Sequence, residues 1–285
     1  MRPIYEIGVI HVESTNACNK ACNSCTRFVG HHQKCFFMNL DTVRKAISSL
    51  DGFQGKIGLM GGEPTIHPQF REICKIFQEM VPKERRALWS NGYKWKEYED
   101  IIYETFKPEN IVYNEHKETV EGVHQPLLIA AKDVIEDEKL MWELIDDCWI
   151  NKRWSASMTP KGAFFCEVAA AQDHLFNGPG GYPLEKGWWK KMPDQYRDQV
   201  KRYCPNCSAA IPMPGIDAHS SYEYASKSIA DKLKELGSPK FLRGQVKIYD
   251  KKFTREEIEK NAKNWMPWSH RPFKQFTPDL IIYER

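Results

Sequence analysis

An α/β fold built on a parallel sheet is predicted for this chain. Short apolar runs alternate with amphipathic segments through its first half, the runs are about the length of buried strands, and the intervening segments are long enough to cross back over a sheet. Ile4–Val12 opens as the first strand. Asn39–Leu50 puts Leu40, Val43, Ile47 and Leu50 on one helical face, and Ile57–Met60 follows as a buried strand. Pro68–Val81 is a helix with Phe70, Ile73, Phe77 and Met80 inward. Ala87–Trp89 is a strand, Lys94–Phe106 a helix and Ile111–Tyr113 a fourth strand. Leu127–Ala131 is a weaker strand candidate, and a helix through Trp142 and Ile145 closes this region.

At Cys148 the texture changes. Trp154–Met158 and Ala163–Phe165 alternate about Thr159-Pro160-Lys161-Gly162 and predict a β-hairpin. Asn177–Pro183 is an irregular loop, and a helix around Gln195–Tyr203 leads into Cys204-Pro205-Asn206-Cys207. Ser221–Leu236 and Thr254–Trp265 read as helices, with Phe241–Tyr249 between them. Three units are expected: 1–147, 148–210, and a helical tail over 211–285 with no assigned role.

The 285 residues carry 28% charged side chains and a net charge of +3, so neither a polyanion-binding face nor an acidic disordered character stands out. Nucleic acid is not an expected partner. No apolar stretch is long enough to span a bilayer and no export signal opens the chain, so a cytoplasmic protein without membrane attachment is expected. Nine cysteines in that setting point to metal or redox chemistry rather than a disulfide framework.

Cys18, Cys22 and Cys25 follow the first strand in a turn-prone stretch with Asn16, Asn19 and Asn23, so three thiolates can converge from one loop. Three protein ligands leave one iron of a cubane open, whereas structural zinc sites close with four. A zinc site completed by Cys35 or the His31-His32 pair is the alternative. After the second strand comes Gly61-Gly62-Glu63-Pro64. The two motifs together resemble the radical S-adenosylmethionine superfamily.

That resemblance implies a partial (β/α)6 barrel, a four-iron, four-sulfur (4Fe-4S) cluster on Cys18, Cys22 and Cys25, and S-adenosylmethionine chelated to the open iron. Reductive cleavage of the cofactor would give a 5′-deoxyadenosyl radical that abstracts hydrogen from a small-molecule substrate, with flavodoxin or ferredoxin as electron donor. Gly61, Gly62, Glu63 and Pro64 would bind the cofactor's amino group, with Glu63 near the positive nitrogen. Ser90 and Asn91 match the family's polar turn after the third strand, and Asn114, beside Glu115, would reach the ribose. Ser24 stands where many members carry an aromatic residue, which leaves Phe28 to pack on adenine.

Cys148 and Cys166 flank the hairpin, and Cys204 and Cys207 follow a helix. Their order resembles the twitch module, a shortened SPASM extension, of the 2-deoxy-scyllo-inosamine dehydrogenase type, implying a second, auxiliary 4Fe-4S cluster on all four. A Cys₄ zinc site is the alternative on ligand type alone. Cys74 reads as a core thiol.

His11 and Glu13 share one face of the first strand and, with Cys35, are the candidate catalytic residues; a structural His–Glu pair is the other reading. His67 and His116 lie near strand ends. Trp188, Trp189, Trp265 and Trp268 are expected to cover the module and the barrel opening. The expected activity is net oxidation of a sugar- or aminocyclitol-like alcohol. Carbohydrate epimerisation, maturation of a ribosomally made peptide (disfavoured by the absence of a leader-binding segment before Ile4) and a zinc-organised binding module are the alternatives.

Overall fold

The computed structural model describes residues 1–113, 123–153, 155–263 and 265. Asn114, Glu115, His116 and Trp268 lie outside the described residues, as does Trp154 at the start of the expected hairpin.

Strand β1 (Val9–Thr15) is buried along its whole length, as a central strand of a parallel sheet must be. Helix α1 (Leu40–Ser49) leads to β2 (Lys56–Gly61), α2 (Phe70–Met80) to β3 (Arg86–Ser90), and α3 (Trp95–Thr105) to β4 (Ile111–Tyr113). The Asn39 side chain caps α1 by accepting from the Thr42 amide, which satisfies one of the donors a helix start leaves unpaired. Alternation along β1 divides the sheet's two faces. Ile10 and Val12 join Ile57, Leu59, Val43, Ile73 and Phe77 in the main core. Val9 instead joins Ala87, Trp89 and Val112 in a smaller cluster on the inner face, and His11 packs edge-on to Trp89 there.

Leu127–Ala131 is not a strand of this sheet; only Leu128 makes an isolated bridge, to Ala225. Short apolar runs do not distinguish strands from other buried segments. After β5 (Val123–His124) come the helices α4 (Ala131–Val134), α5 (Glu138–Asp146) and α6 (Trp149–Arg153).

The predicted hairpin forms as β6 (Ser155–Thr159) and β7 (Gly162–Phe164), but it does not stand apart. β6 pairs in parallel with β1, from Val9↔Ser155 to Val12↔Met158, so one six-stranded sheet, ordered β4-β3-β2-β1-β6-β7, crosses the boundary expected at residue 148. Five strands are parallel and β7 is antiparallel. Among the described residues β4 and β7 are the edges and no pairing closes them into a barrel.

Helices α7 (Glu167–Leu175) and α8 (Arg197–Tyr203) follow. The region expected as a helical tail contains strands: β8 (Ile216–Asp217) pairs with β5, and β9 (Glu223–Ser226) with β10 (Val246–Tyr249), around α9 (Lys227–Glu235) and α10 (Pro239–Leu242). Helix α11 (Arg255–Ala262) starts with a capping box between Thr254 and Glu257. Trp188 and Trp189 do not cover an opening. They pack at the end of α1, where the Trp188 indole donates to Ser49 Oγ at 3.1 Å and Trp189 meets Phe53 edge-on. Cys74 is fully buried in α2.

Candidate radical-enzyme site

Two backbone contacts set the cysteine loop against the turn after β2. The Gly62 amide donates to Thr15 O at 2.7 Å and the Glu63 amide to Ala17 O at 2.8 Å. A Cβ at Gly62 would stand 2.2 Å from the Ala17 carbonyl, and one at Gly61 2.1 Å from that of Thr15, so only glycine allows this approach. Thr15 and Asn16 anchor the other side of the loop, Thr15 Oγ1 donating to Phe36 O and Asn16 Oδ1 accepting from the Phe36 amide.

Cys18, Cys22 and Cys25 are brought together in this way, on a cleft of about 470 Å³ also lined by Met60, Gly61, Gly62, Trp89, Ser90, Asn91 and His124. Backbone amides of Lys20 and Arg27 donate to Cys18 Sγ and Cys25 Sγ at 3.4 Å, and Asn91 Nδ2 reaches Cys18 Sγ at 3.5 Å. Burial pushes the Cys18 thiol up to about 12 and the Cys22 thiol to about 11. Without a cation to receive them as thiolates, these thiols stay protonated at neutral pH.

Glu63 does not line the cleft, nor does Pro64. The Glu63 carboxylate is fully buried and accepts from the Thr65 amide and hydroxyl, Ser90 Oγ and the Asn91 amide at 2.7–3.1 Å. It ties the β2 and β3 turns together instead of reaching outward. Phe28, expected against adenine, is buried in the main core. Cys35 is exposed and does not line the cleft. His67 is buried and accounted for locally, Nε2 on Met38 O and Nδ1 accepting from the Gln69 amide.

His11 and Glu13 belong to a buried cluster that sequence reasoning only half identified. Arg27 Nη1 pairs with Glu167 Oε1 at 2.8 Å and Nε with Glu13 Oε1 at 3.4 Å. Its Nη2 lies 3.1 Å from His11 Nδ1 and 3.0 Å from Met60 Sδ. Ser157 donates to Glu13, and Ser155 to Glu167. Burial raises Glu167, but Arg27, His11 and Ser155 outweigh it and hold the carboxyl down to about 2. Glu13 is raised by burial, which Arg27 and Ser157 only partly offset. Burial and then Arg27 lower His11 to about 4, against Glu167, and among the described residues its Nε2 has no hydrogen-bond partner. Arg27, two residues after Cys25, and Glu167, next to Cys166, carried no periodicity that marked them.

Cys148, Cys166, Cys204 and Cys207 face one cavity of about 420 Å³, otherwise lined mainly by apolar side chains such as Ile145, Ile150, Phe165 and Val168. Burial and the neighbouring thiols push Cys166 and Cys204 far up, and burial takes Cys207 to about 12.

No protein-family model matches the chain. It is 30% identical over 88 residues to the GTP 3′,8-cyclase of Actinobacillus succinogenes, and 30% identical over 99 residues to that of Photorhabdus laumondii subsp. laumondii. These cyclases are radical S-adenosylmethionine proteins. Over these stretches the present chain is similar to them. The matched stretches cover 30% and 31% of this chain, and 26% and 30% of the two cyclases. BtrN in complex with AdoMet and 2-DOIA superimposes with a TM-score of 0.45 at 15% identity, over 70% of this chain and 88% of BtrN. BtrN in an open conformation gives a TM-score of 0.41 at 15% identity, over 70% of this chain and 86% of BtrN. Radical S-adenosylmethionine proteins use a 4Fe-4S cluster and S-adenosylmethionine. No described helix is long and apolar enough to cross a membrane.

Proposed function

We propose that this chain is a radical S-adenosylmethionine oxidoreductase that oxidises a small polar alcohol of the sugar or aminocyclitol class, drawing electrons from a flavodoxin- or ferredoxin-type donor. Cys18, Cys22 and Cys25 hold the cofactor-binding cluster, while Gly61, Gly62, Ser90 and Asn91 line the adjoining cofactor cleft. When bound, cluster and cofactor supply reductive carbon–sulfur cleavage and hydrogen-atom abstraction. Glu63 holds the two cofactor-side turns in register. His11, buried beside Trp89 and with no hydrogen-bond partner on Nε2 among the described residues, is assigned as the base that takes the substrate's hydroxyl proton.

The observation that carries the reading is the convergence of Cys148, Cys166, Cys204 and Cys207 on one apolar cavity. Oxidation of an alcohol to a carbonyl removes two electrons and two protons: one electron and one proton leave together as the abstracted hydrogen atom, the second proton passes to a base, and the second electron needs an acceptor. Four thiolates on a second 4Fe-4S cluster provide one, with no iron left open for substrate.

Metal analysis after anaerobic reconstitution tests this. Roughly eight irons and eight sulfides per chain are expected, falling to roughly four in Cys207→Ala. One zinc beside roughly four irons would make the second site structural and remove the case for net oxidation.

A further inference from the structure

The segment after residue 215 reaches back and grips the first cysteine loop. Asn23, next to Cys22, donates its amide to Ala218 O at 2.9 Å, and its side chain donates to Ser220 Oγ and to Tyr222 O at 2.9 and 3.1 Å. The Ser24 amide, in a left-handed conformation at φ 52°, donates to Glu223 Oε2 at 2.8 Å. Lys240, only 2% exposed, donates from Nζ to Asn23 Oδ1 and to Glu223 Oε1, each at 2.5 Å. His31 completes the group, Nε2 at 3.0 Å from Glu223 Oε1 and Nδ1 at 2.7 Å from Ser238 Oγ.

The lysine stem runs against the turn that follows the loop: a Cβ on Gly30 would meet Lys240 Cδ at 2.7 Å. A buried ammonium is costly unless paired and hydrogen-bonded, and every partner here is on the cysteine loop or is Glu223, which touches that loop. Fold stability alone could be served by an apolar side chain of similar length. The Lys240 charge also acts on Cys22 and Cys25, favouring their thiolates against the burial that pushes them up.

We infer that Lys240 and Glu223 form a charge-tuning clamp, in which the C-terminal segment orders the Cys18–Cys25 loop and sets the reduction potential of the cluster it holds. This rests on the reading that Cys18, Cys22 and Cys25 carry that cluster. Reduction adds a negative charge, so a nearby cation eases it and a nearby anion opposes it.

The test is an electron-paramagnetic-resonance redox titration of the reconstituted chain and of three variants. Lys240→Met should shift the midpoint of the cofactor-binding cluster to lower potential, Glu223→Gln should shift it to higher potential, and Lys240→Arg should stay close to the unaltered chain. The second cluster should move in none of them. Opposite shifts are a signature that a merely structural pair would not give. Unchanged midpoints in both charge-removing variants at full iron content, or shifts of the same sign, would overturn the clamp. A reconstituted unaltered chain with no cluster at Cys18, Cys22 and Cys25 would instead overturn the reading beneath it.

Discussion

Arg27 and Glu167 form a fully buried ion pair, Nη1 to Oε1 at 2.8 Å, that joins the residue two places after Cys25 to the residue directly after Cys166. The pair spans the chain's two cysteine sets, and it crosses the boundary at which a separate module was expected. Beside it, His11 and Glu13 come from β1, and Ser155, which donates to Glu167, comes from β6.

Breaking this pair from one side leaves a buried charge uncompensated. Arg27→Met should cost about 3–5 kcal/mol of stability. Glu167→Gln should cost a comparable amount, and the double variant should be less destabilised than the sum of the two. Urea denaturation of the four proteins checks this; additive losses would contradict the coupling.

Stability should fall on mild acidification in a way that His11 explains. Its folded value is lowered from 6.5 to about 4, by burial and then by Arg27, so the unfolded chain takes up a proton that the folded chain refuses. The contribution is fully present above about pH 6.5 and is lost as pH falls toward 4, about 1 kcal/mol by pH 5.5 and roughly 3 kcal/mol in total. His11→Gln should flatten that slope in denaturation measured at pH 7.5, 6.5 and 5.5. An unaltered slope in the variant would contradict it.

Gly62→Ala should be out of proportion to its one added carbon. The Ala17 carbonyl, 2.2 Å from where that carbon would sit, is backbone of the cysteine loop and can retreat only by moving Cys18. A loss on the order of 2–3 kcal/mol together with reduced iron uptake is expected. Iron analysis and urea midpoints at unaltered levels would show that the turn has slack.

What the sequence disclosed and what it hid divide along the distance of the interactions. Strand and helix alternation through β4 was legible, because periodicities of Ile10, Val12, Val43 and Ile47 are local. The three-cysteine loop and the Gly61-Gly62 turn were legible too, since spacing and glycine requirement are written in consecutive residues. Arg27–Glu167 and Lys240–Glu223 were not, because a buried ion pair between distant positions leaves no periodic mark at either end. Ser221–Leu236 read as one helix, yet Glu223–Ser226 pairs with Val246–Tyr249 as β9; strand formation there depends on a neighbour that local propensity does not encode. Glu63 was read outward as a ligand to a positive nitrogen, while four turn donors hold it inward.

On the proposed function, the loop of Cys18, Cys22 and Cys25 supports reductive cleavage of S-adenosylmethionine. The most direct measurement is 5′-deoxyadenosine formation by the anaerobically reconstituted chain given reductant and S-adenosylmethionine, beside Cys22→Ala and Cys207→Ala. Product is expected from the unaltered chain, none from Cys22→Ala, and measurable uncoupled product from Cys207→Ala. Continued 5′-deoxyadenosine formation by Cys22→Ala would contradict it.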